Sequence, residues 1–471
     1  MSYLELRNAS NGPMAYNCVA AISAFDAALR LDHILLQDID SNPVAVRYGD
    51  VVLSNSSLHS NVIGDLINVK YGKAKIVNCR FKGNNKPDGD GIDFDGVKDG
   101  FIKNVTVSDF EGSNSDAIDL GGSTGIKIDS VMAYRITDKG LSVGQRSSVI
   151  VSHSTFIKTN LGVCAKDSSH VTVRECTFFS VGSPISCYEK IFGRAGGNAD
   201  VYQSIMSNSY DKTISCDNKS NVYISNCLSD NDTLSQNHDN LFGDPEFVSP
   251  AKFDIHIKKP FALTIGSNYL PMIPEADPTI VEICYNTSST STSDRTEYVC
   301  IYNPRNEDYD ISNCSLSEGV KFVFPEGSII PSHGTIFVAQ NKDALKLDND
   351  IQIYNWTEGK LSNEGEKIRL NDPFGLVLDQ VCYSPNAPWP SIYIDGNAMS
   401  LGLSDYSEDN HFAKYWYAKT PTHINDRINM QHYFSLNPAS GIMTMHLLDD
   451  APHLLEVYSL SGQKLLSMTR F

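Results

Sequence analysis

Short apolar stretches return through the first half of the chain at nearly constant spacing. They read Leu53-Ser-Asn55, Ile76-Val-Asn78, Ile102-Lys-Asn104, Ile128-Asp-Ser130, Val151-Ser-His153, Val173-Arg-Glu175, Tyr202-Gln-Ser204 and Ile224-Ser-Asn226, with steps of 23, 26, 26, 23, 22, 29 and 22 residues. A second set keeps the same register: Val44, Ile67, Ile92, Ile118, Leu141, Val163, Ile185 and Ile214, followed two residues later by Val46, Val69, Phe94, Leu120, Val143, Ala165, Cys187 and Cys216. Positions i and i+2 of a strand share a face, so both columns are expected to point inward. The residues between them, Asn68, Asp93, Asp119, Ser142, Cys164, Ser186 and Ser215, are expected to point outward. A short strand repeated at this interval marks a solenoid, and the period is too short for a helix-pair repeat. Coils of three short strands, stacked about 4.8 Å apart, build a parallel β-helix. The asparagine-rich position after the first set predicts a ladder of stacked side-chain amides in the turns.

These repeats resemble the right-handed parallel β-helix found in many polysaccharide lyases, glycoside hydrolases and epimerases. The resemblance spans residues 4 to 265 and implies a fold rather than one activity. The chain begins already inside a coil, with Leu6 and Asn8 fitting the first motif. The expectation from this is that upstream sequence precedes Met1. Asn240-Leu-Phe-Gly-Asp-Pro-Glu-Phe247 and Phe253-Asp-Ile-His-Ile257 resemble the closing segment of secreted bacterial β-helix proteins. The reading assigns 1–268 to the β-helix and 269–278 to a Pro-rich linker.

Residues 279–426 alternate in short strands bounded by turn residues, as a sandwich requires. The segments Ile280-Val-Glu-Ile283, Glu297-Tyr-Val-Cys-Ile-Tyr-Asn-Pro304, Leu361-Ser-Asn-Glu-Gly-Glu-Lys-Ile-Arg-Leu370, Asp372-Pro-Phe-Gly375, Pro388-Trp-Pro390 and Trp416 resemble the lamin tail domain, an immunoglobulin-like β-sandwich. Its carboxylates Glu297, Glu364 and Glu366 read as strand-end and turn groups. In 427–471, Phe434-Ser-Leu-Asn-Pro-Ala-Ser440 and Leu455-Glu-Val-Tyr-Ser-Leu-Ser-Gly-Gln-Lys464 resemble the start of a type IX secretion sorting domain. That resemblance implies a Bacteroidetes-type source, contact with the secretion machinery and a secreted or outer-surface location. The chain stops before the last strands the family shows. The fold class is therefore all-β: a β-helix, an immunoglobulin-like sandwich and a partial sorting domain.

Charge narrows the partners. A net charge of −18 argues against nucleic acid or an anionic membrane surface. No apolar run is long enough for a transmembrane helix. The 11 cysteines include Cys187 with Cys216 in one inward column and Cys79, Cys176 and Cys227 in another, and read as free, small core residues.

Candidate chemistry gathers on one outward surface. Asp93 and Asp119 share a column on adjacent rungs, Asp95 and Lys166 share the next, and Asp90, Asp116 and Lys139 line the turn entering the strand. Carboxylates that close either raise a pKa or share a cation, and calcium suits an oxygen-rich group. The expected metal set is Asp90, Asp93, Asp95, Asp116 and Asp119; the expected catalytic set is Asp93, Asp119, Lys139 and Lys166. Three readings stay open. In a lyase or epimerase, calcium neutralises a uronate while Lys139 or Lys166 removes the C5 proton. In a glycoside hydrolase, two of Asp93, Asp95 and Asp119 act as the carboxyl pair. In the third, Asp90 and Asp116 cap turns and no reaction occurs. The tyrosines Tyr48 and Tyr71, at equivalent turns, read as a structural stack. The expected function is binding or processing of an extracellular polysaccharide or cell-surface glycan. The alternative is an adhesion protein with the β-helix as stalk and the sandwich as contact module.

Overall fold

A computed structural model of the chain describes residues 4–10, 12, 19–230, 234, 239–258, 265–286, 296–345, 347, 351–394 and 397–421, and the strands 433–437, 442–446, 453–458 and 464–470. The first half is a β-solenoid of parallel strands stacked on three faces. The first face contains Val44–Arg47, Ile67–Lys70, Ile92–Asp95 and Ile118–Gly121, and continues through the ends of the long strands Ile126–Gly144 and Thr155–Lys166 to Ser183–Tyr188 and Ile214–Cys216. The second face carries the Leu53 to Ile224 motif. The third runs from Leu4–Arg7 and Ile34–Ile39 to Leu228–Ser229 and Leu241–Phe242.

The predicted columns set this register. Val44, Val46, Ile67, Val69, Ile92, Phe94, Ile118 and Leu120 are almost fully buried and share one core with the second face. At the corner after the second face the backbone turns left-handed at Asn55, Asn78 and Asn104, a conformation asparagine tolerates better than most residues. Their amides form the expected ladder: Asn104 Nδ2 donates to Asn78 Oδ1 (3.1 Å) and Asn78 Nδ2 to Asn55 Oδ1 (2.9 Å).

Three expectations change. Leu6 pairs with Leu36, so Leu6 and Asn8 stack on the third face and lie outside the second-face motif. Asn68, Ser142, Cys164 and Ser186, expected outward, are buried, and Lys166 of the flanking column reaches Ser142 Oγ at 2.7 Å. Cys216, expected in the core, is exposed: it sits on the last first-face strand among the described residues. Of the ten described cysteines eight are buried, and Cys216 and Cys382 are exposed.

Residues 279–419 form a sandwich of a six-stranded and a five-stranded sheet. It rests directly on the third face of the solenoid. An antiparallel pair, Phe247–Ser249 with Asp254–Ile257, packs Phe247, Phe253 and Ile255 against the third-face residues Met132, Ile157, Phe179 and Ile205. Beyond it the contact is polar. Arg135 meets Glu111 at 2.6 Å, Asp372 at 3.1 Å and Asp277 at 3.4 Å. Lys158 is buried and donates to the carbonyls of Val377 (3.0 Å) and Leu378. Arg369 of the sandwich returns to the Tyr210 carbonyl (2.5 Å) and to Asp211 (2.7 Å). The sandwich therefore occupies the third face and leaves the first face clear of these contacts. In the tail, Tyr433–Asn437 pairs with Ile442–His446 and His453–Tyr458 with Lys464–Arg470, giving two hairpins. Pro438, of the expected Asn-Pro motif, lies outside the described residues.

Candidate functional site

On the first face Asp93 stands opposite Asn68 on one neighbouring rung and Asp119 on the other, and Asp119 stands opposite Ser142. Neighbouring strands lie about 4.8 Å apart, so the two carboxyl groups hang from adjacent rungs on the same side. Asn68 links Asp93 to a residue missed in the sequence: its Nδ2 donates to Asp65 Oδ2 (2.9 Å) and to Asp93. Burial first, then the nearby charges of Asp65, Asp95 and Asp119, push the Asp93 pKa up to about 9. Asp93 is thus a protonated acid at neutral pH.

The turn column has a different role. Asp65 Oδ1 accepts from the Asp90 backbone N–H (3.2 Å), Asp90 Oδ1 from that of Asp116 (2.7 Å), and Asp116 Oδ1 from that of Lys139 (3.0 Å). Each carboxylate caps the backbone one rung on. The Lys139 ammonium closes the series on Asp116 (3.2 Å) and Asp138. Burial opposes its charge, but Asp116 and Asp138 outweigh that and hold its pKa above the ordinary value. Lys139 is therefore a poor proton acceptor. Lys166 is also buried and donates to Ser142 Oγ at 2.7 Å. Lys70, in register with Asp95, pairs with it at 2.7 Å.

The structure brings Asp93, Asp95 and Asp119 onto one surface and assigns Asp90 and Asp116 to the capping series. Of the expected five-residue calcium set, Asp90 and Asp116 accept backbone N–H groups and Asp95 is paired with Lys70. Among the described residues no group of three or more His, Cys, Asp or Glu side chains is placed to hold a metal ion. Lys166 lies three rungs from Asp95, with Gly121 and Gly144 between them. In the sandwich, Glu297 and Glu366 accept the backbone N–H groups of Leu361 (2.8 Å) and Ser362 (2.6 Å). Both are fold-holding contacts.

The far edge of the first face carries an aromatic row. Tyr48 and Tyr71 stack at 5.3 Å with planes 12° apart, and Phe25 meets Tyr48 edge-on at 5.7 Å. All three rings are more than half exposed. The row ends over Gly96, where a Cβ would stand 2.7 Å from the Tyr71 ring. Gly96 directly follows Asp95, so the aromatic surface leads into the rung of Asp93. Phe25 was missed because it precedes the motif used to align the coils.

Comparison with known families agrees with the architecture. Residues 31–189 match the model of the right handed beta helix region and residues 272–385 that of the lamin tail domain. The protein is a β-solenoid followed by a lamin tail domain. No curated protein matches the chain. In the lamin tail domain, Asp372, of the Asp-Pro-Phe-Gly turn, accepts from the N–H groups of Phe374 (2.9 Å) and Leu376 (2.8 Å) while its other oxygen meets Arg135 of the solenoid.

Proposed function

We propose that the first face of the solenoid binds and hydrolyses an extracellular carbohydrate, with Asp93 and Asp119 as the carboxyl pair. The supporting observation is the exposed aromatic row that ends on the rung of Asp93, whose partner on the next rung is Asp119. Aromatic faces stack on the apolar faces of sugar rings, and glycoside hydrolysis needs one protonated and one ionised carboxyl group. Asp93 gives its proton to the glycosidic oxygen as the bond to the anomeric carbon breaks. Asp119 attacks that carbon, and water then releases the sugar from Asp119 while Asp93 takes back a proton. Rung spacing matches the roughly 5 Å separation of a retaining pair. The lyase reading has less support, since Lys139 and Lys166 are both engaged. An outer-surface location belongs to the same proposal and rests on the resemblance of the tail to sorting domains.

The test is release of reducing ends from a panel of oligosaccharides. Asp93→Asn and Asp119→Asn should each lower turnover by at least roughly a hundredfold while binding persists. Binding without turnover in the parent chain supports a non-catalytic receptor. An absence of binding across the panel removes the reading.

A further inference from the structure

One turn at the corner between the first and second faces is longer than the turn on the rung before it. Lys166 pairs with Tyr188, 22 residues on, whereas His170 pairs with Asn198, 28 residues on. The six extra residues therefore fall between Tyr188 and Asn198. At their tip stands Phe192, 92% exposed, beside the exposed Ile191. The loop is firmly held. Asp167 Oδ1 accepts the N–H groups of Lys190 (2.9 Å) and Ile191 (2.8 Å), and Glu189 Oε1 those of Gly193 and Ala195 (both 3.0 Å). Ser168 Oγ donates to the Arg194 carbonyl at 2.5 Å, and Lys219 pairs with Glu189 while lying 5.2 Å from the centre of the Phe192 ring. A slack loop would fold its phenylalanine onto apolar surface and out of water. These bonds hold the ring outward instead.

The same corner carries Tyr48 and Tyr71 towards its other end. From Tyr71 it runs through Gly96, Gly122, Gln145 and Asp167 to Glu189, the residues that follow Lys70, Asp95, Gly121, Gly144, Lys166 and Tyr188 of successive first-face rungs. Between the two aromatic ends the surface stays low, with glycine at four of these positions. It is also polar. Asp95 Oδ1, whose sister oxygen pairs with Lys70, lies 2.7 Å from where a Cβ on Gly121 would stand, and the amide nitrogen of exposed Gln145 lies 3.5 Å from it. An acceptor and a donor thus meet over Gly121. Sugar rings offer apolar faces to aromatic side chains and hydroxyl groups to such a pair.

We infer that this corner is one continuous lane for a polysaccharide, which touches Tyr71 at one end and Phe192 at the other. The assignment rests on the carbohydrate function proposed above and adds that the substrate is a long chain gripped along its length. Five rungs separate Lys70 from Tyr188, so the ends of the lane lie about 24 Å apart. A pyranose unit advances an extended chain by about one rung spacing, so roughly six units reach both ends.

The experiment measures binding of end-labelled oligosaccharides of three to eight units to the full chain carrying Asp93→Asn, so that no probe is consumed. The series are β-1,4-glucose, β-1,4-N-acetylglucosamine, β-1,4-xylose and α-1,4-galacturonate. In a series that binds, affinity should rise roughly tenfold from trimer to hexamer and by less than about twofold from hexamer to octamer. Phe192→Ala, at an exposed position where the melting temperature checks the fold, should cut the first rise to less than about threefold. Tyr71→Ala should weaken trimer and hexamer alike. A trimer bound as tightly as the hexamer, or a rise that survives Phe192→Ala, overturns the lane while leaving a carbohydrate function intact. If no series binds at any length, the functional reading falls together with this inference.

Discussion

Lys158 on the solenoid donates to the backbone carbonyl of Val377 on the sandwich at 3.0 Å, from a position with 2% side-chain exposure. Burial lowers the pKa of this lysine, and the charges of Asp277 and Asp379 oppose that shift. Removing this buried cation takes a donor from the Val377 and Leu378 carbonyls, of which Val377 keeps the Tyr210 hydroxyl at 3.2 Å, and takes from buried Asp277 its cation at 3.7 Å. Lys158→Ala should therefore destabilise the chain by about 3–5 kcal/mol. It should also expose the junction to limited proteolysis between the units. Lys158→Met, which fills the same volume, should lose less. An unchanged urea midpoint in Lys158→Ala would show that the contact adds nothing.

The first-face carboxylates make stability fall with rising pH. Asp93 has a folded-state pKa raised from 3.8 to about 9. The folded state therefore holds a proton that the unfolded state has lost between these values, and each step up in pH across that window favours unfolding. The contribution is fully present below about pH 4 and is lost as pH rises through about 9. Asp93→Asn keeps a neutral group that donates and accepts, so its melting temperature should decline less from pH 5 to pH 9 than that of the parent. Parallel curves for the two proteins would contradict the raised pKa.

The asparagine ladder makes a backbone prediction. Asn78 has φ of 56° and bonds to Asn55 and Asn104. Asn78→Ala loses both side-chain bonds and places a Cβ-bearing residue without local compensation in the left-handed region, costing about 1–2 kcal/mol. Asn78→Gly restores the backbone freedom and should recover part of that loss in chemical unfolding. If glycine proves as costly as alanine, the side-chain bonds carry the whole effect.

Thiol accessibility checks the end of the first face. Cys216 and Cys382 are the exposed members of the ten described cysteines, and the others are buried. Labelling of the native chain, read by peptide mass, should modify these two well before Cys79, Cys164, Cys176, Cys187 or Cys227. Early labelling of Cys187, inward on the preceding first-face rung, would mean that the last rung opens readily.

The solenoid was legible because its signal is periodic. Asp93 and Asp119 fall one repeat apart with matching neighbours, so their shared column followed from alignment alone. Asn68 was legible as a column member and illegible as a bridge, since its bond to Asp65 depends on how the entering turn folds back. The capping series was hidden for a related reason: Asp90 and Asp116 stand at the expected spacing, but their oxygens serve backbone N–H groups across a rung, which side-chain spacing does not encode. The docking of the sandwich left no periodic trace. Nothing in the spacing of Arg135 and Lys158 marks them out, and their partners Asp277, Asp372 and Val377 lie in a segment with no repeat to align against. Cys216 misled because an inward position has meaning only while another coil follows it.

The junction also has a mechanical consequence. Its contacts on the solenoid run from Arg135 through Lys158 to Tyr210 and Asp211, crossing successive coils. A stack of coils gripped along one side resists bending towards or away from that side, much as a splinted rod does. The first-face rungs of Asp119, Ser142, Cys164 and Ser186 belong to the gripped coils, so a stiff, evenly repeating polymer laid along them would meet a ruler of matching stiffness.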